Sequence, residues 1–292
     1  MAGEISISVI IASRNEGSFI AATVENLLAG LPPDGEVIVV DDATTDGSIA
    51  AIRADPRVHI MRLPGSLGVA RARNLGARLA SGRVLVFSDA HVQAPAHWAV
   101  ALTAPLGRPE VGATGPVLCD LYVRESKGHG LRFCDAATSL EWLYRAGDEP
   151  YPVPALPGFF IAMRREVFAE VGGFDDGMLV YGMEDPELGV HLWTLGYQCI
   201  LVPTIEVGHL YRRPAPDYQF DWETGLHNIL RLGVTHFGAG RLEGMIRRHL
   251  EDPAFPAAAA RLAASNVGER RSWVTRCRKY DDEWYFKYFG ME

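Results

Sequence analysis

Short apolar runs alternate with amphipathic stretches through the first hundred positions of the chain. Ile5–Ala12, rich in isoleucine, predicts a first buried strand. Phe19–Ala29 has helical spacing and is stopped by Leu31-Pro32-Pro33. Glu36–Val40 predicts a second strand that ends in Asp41-Asp42, and Asp46-Gly47-Ser48 opens a short helix through Ala54. Val58–Leu63 predicts a third strand, Gly68–Ala80 an Ala- and Arg-rich helix ended by Ser81-Gly82, and Val84–Ser88 a fourth strand. This regular alternation predicts a mostly parallel, doubly wound α/β sheet.

The pattern then loosens. Val111–Leu118 predicts another strand, and Tyr122–Gly147 is mixed and polar. Asp148–Pro157 carries Pro150, Pro152, Pro154 and Pro157 without periodicity, which predicts a mobile connector. Gly158–Met163 is apolar, Arg165–Val171 is helical, and Glu184–Leu195 is a helix with Leu188, Leu192 and Leu195 on one face. Gln198–Val202 and Glu206–His209 read as extended, and helical patterning dominates from Asp221 onward. The aromatic and basic tail (Arg270, Arg271, Lys279, Trp284, Tyr285, Phe286, Tyr288) is expected to dock back onto the domain or to form an acceptor surface.

Composition narrows the class. The 292 residues, 48% hydrophobic and 22% charged, suit a globular α/β protein. A net charge of −8 argues against a general nucleic-acid binder. The longest apolar runs are too short to span a bilayer, and the N-terminus lacks the basic and apolar regions of a signal peptide, so a cytoplasmic enzyme-sized protein without a transmembrane segment is expected. Cys119, Cys134, Cys199 and Cys277 have no metal-site or paired spacing, which predicts free thiols.

The chemistry concentrates at strand ends. Asp89-Ala90-His91 closes the fourth strand, where open α/β sheets bind ligands. A carboxylate and an imidazole two residues apart suit a divalent cation that carries a diphosphate; a solvated strand terminus shows the same residues. Asp41-Asp42 lies on the same sheet edge, as a ligand for a base or ribose or as a loop acid. Arg71 and Arg73 follow, and their spacing sends only one toward the crevice; a solvated arginine fits Arg73 better. The first strand-to-helix turn, Ser13-Arg14-Asn15-Glu16, lacks a dinucleotide-binding glycine pattern, and no phosphate-loop motif occurs.

These motifs, in this order, resemble a known family. Val9-Ile10-Ile11-Ala12…Asn15-Glu16, Val39-Val40-Asp41-Asp42-Ala43, Gly68-Val69-Ala70-Arg71-Ala72-Arg73 and Phe87-Ser88-Asp89-Ala90-His91 resemble the nucleotide-binding half of family 2 glycosyltransferases with the GT-A fold. Gly158-Phe159-Phe160, Gly172-Gly173-Phe174-Asp175, Tyr181-Gly182-Met183-Glu184-Asp185 and Val207-Gly208-His209-Leu210-Tyr211-Arg212 are similar to the catalytic domain of polypeptide N-acetylgalactosaminyltransferases and their bacterial relatives. The resemblance implies a GT-A domain over residues 1–213, with a nucleotide-binding half at 1–110 and an acceptor half at 111–213, followed by a helical C-terminal extension at 214–292.

Residue by residue, the resemblance implies that Ala12, Arg14 and Asp42 line uracil, with Glu16, Arg71, Asp89 and Ala90 also on the nucleotide side. It implies that Asp89, His91 and His209 hold Mn²⁺ or Mg²⁺, and that Glu184 and Asp185 face the transferred sugar and acceptor. Retaining peptide transferases carry Glu-Asn after Trp-Gly-Gly, whereas Glu-Asp is the inverting pattern. The expected activity is therefore metal-dependent transfer from a UDP-sugar, inverting, with Asp185 as base. A retaining GalNAc-type transferase, a nucleotidyltransferase and a catalytically silent nucleotide-sugar-binding module are the alternatives; Asp185 as a helix N-cap is the bland reading of that residue. Trp142, Trp193 and Tyr181 either stack on sugar or fill core, with Trp193 assigned to core. The motifs leave the acceptor open among peptide, glycan, lipid and small molecule.

Overall fold

The computed structural model describes residues 7–135, 139–211 and 221–291. The strands are β1 (Ile7–Ser13), β2 (Glu36–Asp41), β3 (Val58–Arg62), β4 (Val84–Ser88), β5 (Val92–Gln93), β6 (Val111–Asp120), β7 (Lys127–Gly128), β8 (Leu131–Phe133), β9 (Leu140–Trp142), β10 (Tyr151–Pro152), β11 (Phe160–Arg164) and β12 (Gln198–His209). The helices are α1 (Phe19–Gly30), α2 (Val69–Leu79), α3 (Trp98–Thr103), α4 (Arg165–Glu170), α5 (Glu184–Leu195), α6 (Trp222–His236), α7 (Ala239–His249), α8 (Phe255–Ala263), α9 (Val267–Cys277) and α10 (Asp282–Tyr288).

One mixed sheet runs β10-β12-β6-β11-β4-β1-β2-β3, with β5 and β7 attached to β12 and β6. The β4-β1-β2-β3 half is parallel, and β11 is antiparallel to both β4 and β6. Successive side chains on a strand face opposite sides. Accordingly Ile10, Ile38, Leu85 and Phe87 belong to one hydrophobic core, and Val9, Ile11, Val37 and Val86 to a second. Strands buried on both faces need continuous apolar sequence, which explains the unbroken Val-Ile runs. Helix α2 lies close on β1 because residue 76 is glycine; a Cβ there would stand 2.4 Å from Ile10 Cγ2.

The C-terminal helices cover the same face as α2. Leu226 and Leu230 of α6 and Tyr285 and Phe286 of α10 join the core that contains Ile10 and Phe87. Arg231 of α6, fully buried, pairs with Asp175 at 2.7 Å and reaches Ser265 and Asn266. The expected boundary at 213/214 lies outside the described residues.

Two expectations about elements change. The helix expected from Ser48 to Ala54 is a single 3₁₀ turn, Ser48–Ala51. The proline-bearing segment before residue 158 is not a loose connector. Tyr151–Pro152 pairs with β12, Val153 N–H donates to Cys199 O at 2.9 Å, and Val153, Ala155 and Leu156 are buried. Proline fixes an extended backbone and tolerates sheet edges, so lack of periodicity here marks an edge segment packed into the core.

Candidate active site

The C-terminal ends of β1, β2 and β4 open onto one cleft, as expected for an open α/β sheet. Its main chamber of about 350 Å³ is lined by Ala12, Glu16, Asp89, Ala90, His91, Glu184, Asp185 and His209 among others. Arg14 and Asp42 line a small adjoining chamber, and Ala12 borders both. The structure thus gathers residues that lie nearly two hundred positions apart in sequence.

Asp89 follows β4 directly, and its backbone N–H donates to Phe159 O at 2.9 Å. His209 ends β12, which pairs antiparallel with β5 so that His209 opposes Val92, the residue after His91. Asp89, His91 and His209 each offer a donor atom, all within 4.8 Å of one another; among the described residues this is the one such group of three. His209 Nε2 lies 3.1 Å from Asp89 Oδ2, and His209 Nδ1 is buried without a hydrogen-bond partner among the described residues. The rings of His91 and His209 are 4.8 Å apart. One carboxylate and two imidazoles suit a borderline-hard divalent cation such as Mn²⁺.

The electrostatics agree with that donor set. Burial pushes the Asp89 carboxyl up, but the hydrogen bond from His209 and the Arg73 charge outweigh it and hold the group well below the ordinary carboxylate range. Burial lowers His91, with Asp89 opposing, which favours the neutral imidazole that metals require. Glu16 Oε2 meets His91 Nδ1 at 3.0 Å. Glu16 therefore contacts a histidine of this three-residue cluster, a contact its position in the first turn does not announce.

The head of α5 faces this cluster. Val180 and Met183 both adopt left-handed backbone, at φ 53° and 71°. Such a conformation is strained for a β-branched valine. It is held by the Val180 carbonyl, which accepts Val69 N–H at 2.7 Å and so ties the approach to α5 to the start of α2. Glu184 Oε2 accepts Gly182 N–H at 2.7 Å. Asp185 sits inside the first turn, with Met183 at the N-cap, so the helix-cap reading of Asp185 does not hold. Its Oδ2 accepts Gly158 N–H at 2.8 Å. Burial and the Glu184 charge push Asp185 up to about 7, with the Gly158 N–H and Arg73 opposing.

On the nucleotide side, the Asp42 carboxylate organises the loop before α2. It accepts Leu67 N–H at 2.6 Å, Ser66 Oγ–H at 2.7 Å and Gly68 N–H at 3.1 Å. Arg14 Nη1 donates to Asp42 O at 3.0 Å.

The arginine expectation is reversed. Arg71 is exposed, its Nε donates to Asp176 O at 2.6 Å, and it lines neither chamber. Arg73 lines the cleft, buried to 2% exposure, with Nη2 at 2.8 Å from Asp89 Oδ1. Two helix positions differ by about 200° around the axis. The sheet-facing side of α2 carries Ala70 and Ala77, three before and four after Arg73, and that spacing of small residues was the sequence signal for its burial. Trp142 and Tyr181 line the cleft, Trp142 at 43% exposure. Trp193 is core, its indole N–H donating to Val153 O at 3.0 Å.

Residues 8–172 match the family model described as glycosyl transferase family 2, and residues 143–214 match one described as the N-terminal domain of galactosyltransferase. A probable N-acetylgalactosaminyltransferase 8 of Caenorhabditis elegans is 27% identical over 80% of this chain and 62% of its own length. Polypeptide N-acetylgalactosaminyltransferase 8 of Drosophila melanogaster is 31% identical over 71% of this chain and 38% of its own. The chain thus spans less than two thirds of the length of these curated relatives. Among solved structures, GalNAc-T7 with UDP, GalNAc and Mn²⁺ superposes with TM-score 0.83 at 22% identity, covering 99% of this chain and 57% of that one. A mannosyltransferase from Pyrobaculum calidifontis with GDP-Man and Mn²⁺ gives TM-score 0.57 at 23% identity over 99% and 84%. No described helix is long and apolar enough to cross a membrane.

Proposed function

The chain belongs to glycosyl transferase family 2 and has the GT-A fold, and on that premise we propose that it transfers a sugar from a UDP-sugar to an acceptor hydroxyl in a metal-dependent, inverting reaction. The observation that carries this reading is the convergence of Asp89, His91 and His209 on one point of a chamber also lined by Asp185. Relatives named as N-acetylgalactosaminyltransferases and a structural neighbour that holds UDP and Mn²⁺ support it.

Each residue has a physical task. Asp89, His91 and His209 would hold the cation, which supplies Lewis-acid stabilisation of the charge that grows on the leaving diphosphate. Asp42, by ordering Ser66–Gly68, shapes the chamber assigned to uracil, and its Oδ1, which accepts only Leu67 N–H, keeps a lone pair for a base N–H. Glu184, fixed by Gly182 N–H and near Arg73, is placed to bind a sugar hydroxyl. Asp185, with affinity for a proton near neutrality, is suited to accept the acceptor proton as the new bond forms. Tyr181 and Trp142 give the chamber aromatic walls, which would limit the water that could otherwise hydrolyse a bound donor.

The names of the relatives favour GalNAc as the sugar, and the resemblance to the retaining peptide transferases gives a second reading, retaining transfer, in which Asp185 is a sugar ligand. A panel of UDP-sugars, assayed for UDP release with Mn²⁺ and with EDTA, tests the shared part of both. Metal-dependent release supports a transferase. Donor binding by thermal shift, with no release from any donor, would identify a binding module instead.

A further inference from the structure

Arg73 makes contacts that the activity alone does not require. Its guanidinium is 2% exposed and sits between three groups. Nη2 donates to Asp89 Oδ1 at 2.8 Å and to Gly158 O at 2.7 Å, and Nη1 lies 3.6 Å from Glu184 Oε1. The Phe174 ring closes the far side at 5.4 Å. Nε and Nη1 are buried and have no hydrogen-bond partner among the described residues. A buried cation with donors left over is costly unless nearby charges compensate it. Asp89 and Glu184 are those charges.

The division of the Asp89 carboxylate gives this arrangement its meaning. Oδ1 is taken by Arg73, while Oδ2 faces His209 Nε2 at 3.1 Å, inside the three-residue cluster. The carboxylate is therefore clamped from behind and presents one oxygen. Gly158 extends the clamp to α5, since its carbonyl accepts from Arg73 and its N–H donates to Asp185 Oδ2. Only glycine fits there comfortably: a Cβ at 158 would stand 3.1 Å from Arg73 Nη1 and 3.1 Å from Asp185 Cβ.

We propose that Arg73 is a positioning residue that fixes Asp89 as a one-oxygen metal ligand and, through Gly158 and Glu184, sets the spacing between the metal cluster and the head of α5. This rests on the reading of Asp89, His91 and His209 as a metal site. A lysine would keep the charge but lose the planar fork that reaches Asp89 and Gly158 from one nitrogen and Glu184 from the other.

The test measures Mn²⁺ binding directly, by the electron paramagnetic resonance signal of free Mn²⁺ in the presence of UDP, alongside thermal unfolding of the same samples. Wild type is measured first; if it does not hold Mn²⁺, the metal reading falls and this proposal with it. Given wild-type binding, Arg73→Lys is expected to weaken Mn²⁺ by about 10–100-fold while folded, the usual effect of losing a group that orients a ligand. Arg71→Lys, on the same helix but outside the cleft, should leave the affinity unchanged. A folded Arg73→Lys with wild-type Mn²⁺ affinity overturns the proposal, as does an equal loss in Arg71→Lys. If Arg73→Lys does not fold, Gly158→Ala keeps the guanidinium and disturbs the clamp; about tenfold weaker Mn²⁺ is then expected, and unchanged affinity overturns the proposal.

Discussion

Glu16 Oε2 lies 3.0 Å from His91 Nδ1, and both side chains are largely buried. On the proposed metal reading, a contact at Nδ1 orients the imidazole ring and leaves Nε2 as its donor atom. Glu16→Gln is expected to lower Mn²⁺ affinity about 10–100-fold with the fold intact, whereas His91→Ala removes a ligand and should abolish most metal-dependent activity. Calorimetric titration with Mn²⁺ checks both; wild-type affinity in either variant would remove that residue from the site.

Asp185 gives a pH prediction with a definite sign. A base must be deprotonated, so with its carboxyl pushed up to about 7 the rate should fall as pH drops below that value. Asp185→Asn should lose about 10²–10⁴ in kcat and lose that acidic limb, with donor affinity nearly intact. A full acidic limb in the Asn variant would assign it to another group.

The same shift predicts a stability effect. The folded carboxyl titrates near 7 and the unfolded one near its ordinary 3.8. Between them the folded protein holds a proton that the unfolded chain has released, so this contribution to stability is complete below 3.8 and lost as pH rises through about 7. Asp185→Asn should therefore melt at a higher temperature than wild type at pH 8, and the difference should shrink toward pH 5. A variant less stable at every pH would show that the carboxylate is there for the fold.

Asp42→Ala should raise the KM for donor far more than it lowers kcat, because the carboxylate orders Ser66–Gly68 and acts on binding rather than on chemistry. Unchanged donor affinity would detach the small chamber from nucleotide recognition.

Arg231→Met leaves Asp175 buried without its 2.7 Å partner. Breaking one side of such a pair costs about 3–5 kcal/mol, and urea unfolding should show it as a lower midpoint at an unchanged slope. A midpoint within error of wild type would mean that this ion pair adds nothing to the hold on the C-terminal helices.

The sequence made the sheet legible because its strands are buried on both faces and so carry unbroken apolar runs. Val84–Ser88 and Glu184–Leu195 match their predicted bounds. Asp89, His91 and His209 were legible only as motifs; the pairing of β5 with β12 that joins them is long-range and leaves no local trace. Arg73 was misread because charge suggests solvent, while the small residues that bury it at Ala70 and Ala77 are a weaker signal. The prolines of residues 150–157 were misread because a buried, extended edge segment has no period to detect.

In the proposed reaction Asp185 removes the acceptor proton as the sugar transfers with inversion. Time-resolved proton NMR of the first product from an α-linked UDP-sugar, with Mn²⁺ and with water or a glycan as acceptor, tests it most directly. Inversion gives a β-configured anomeric proton before any mutarotation, absent with EDTA and nearly absent in Asp185→Asn. An α-configured first product would contradict inversion and leave Asp185 as a sugar ligand.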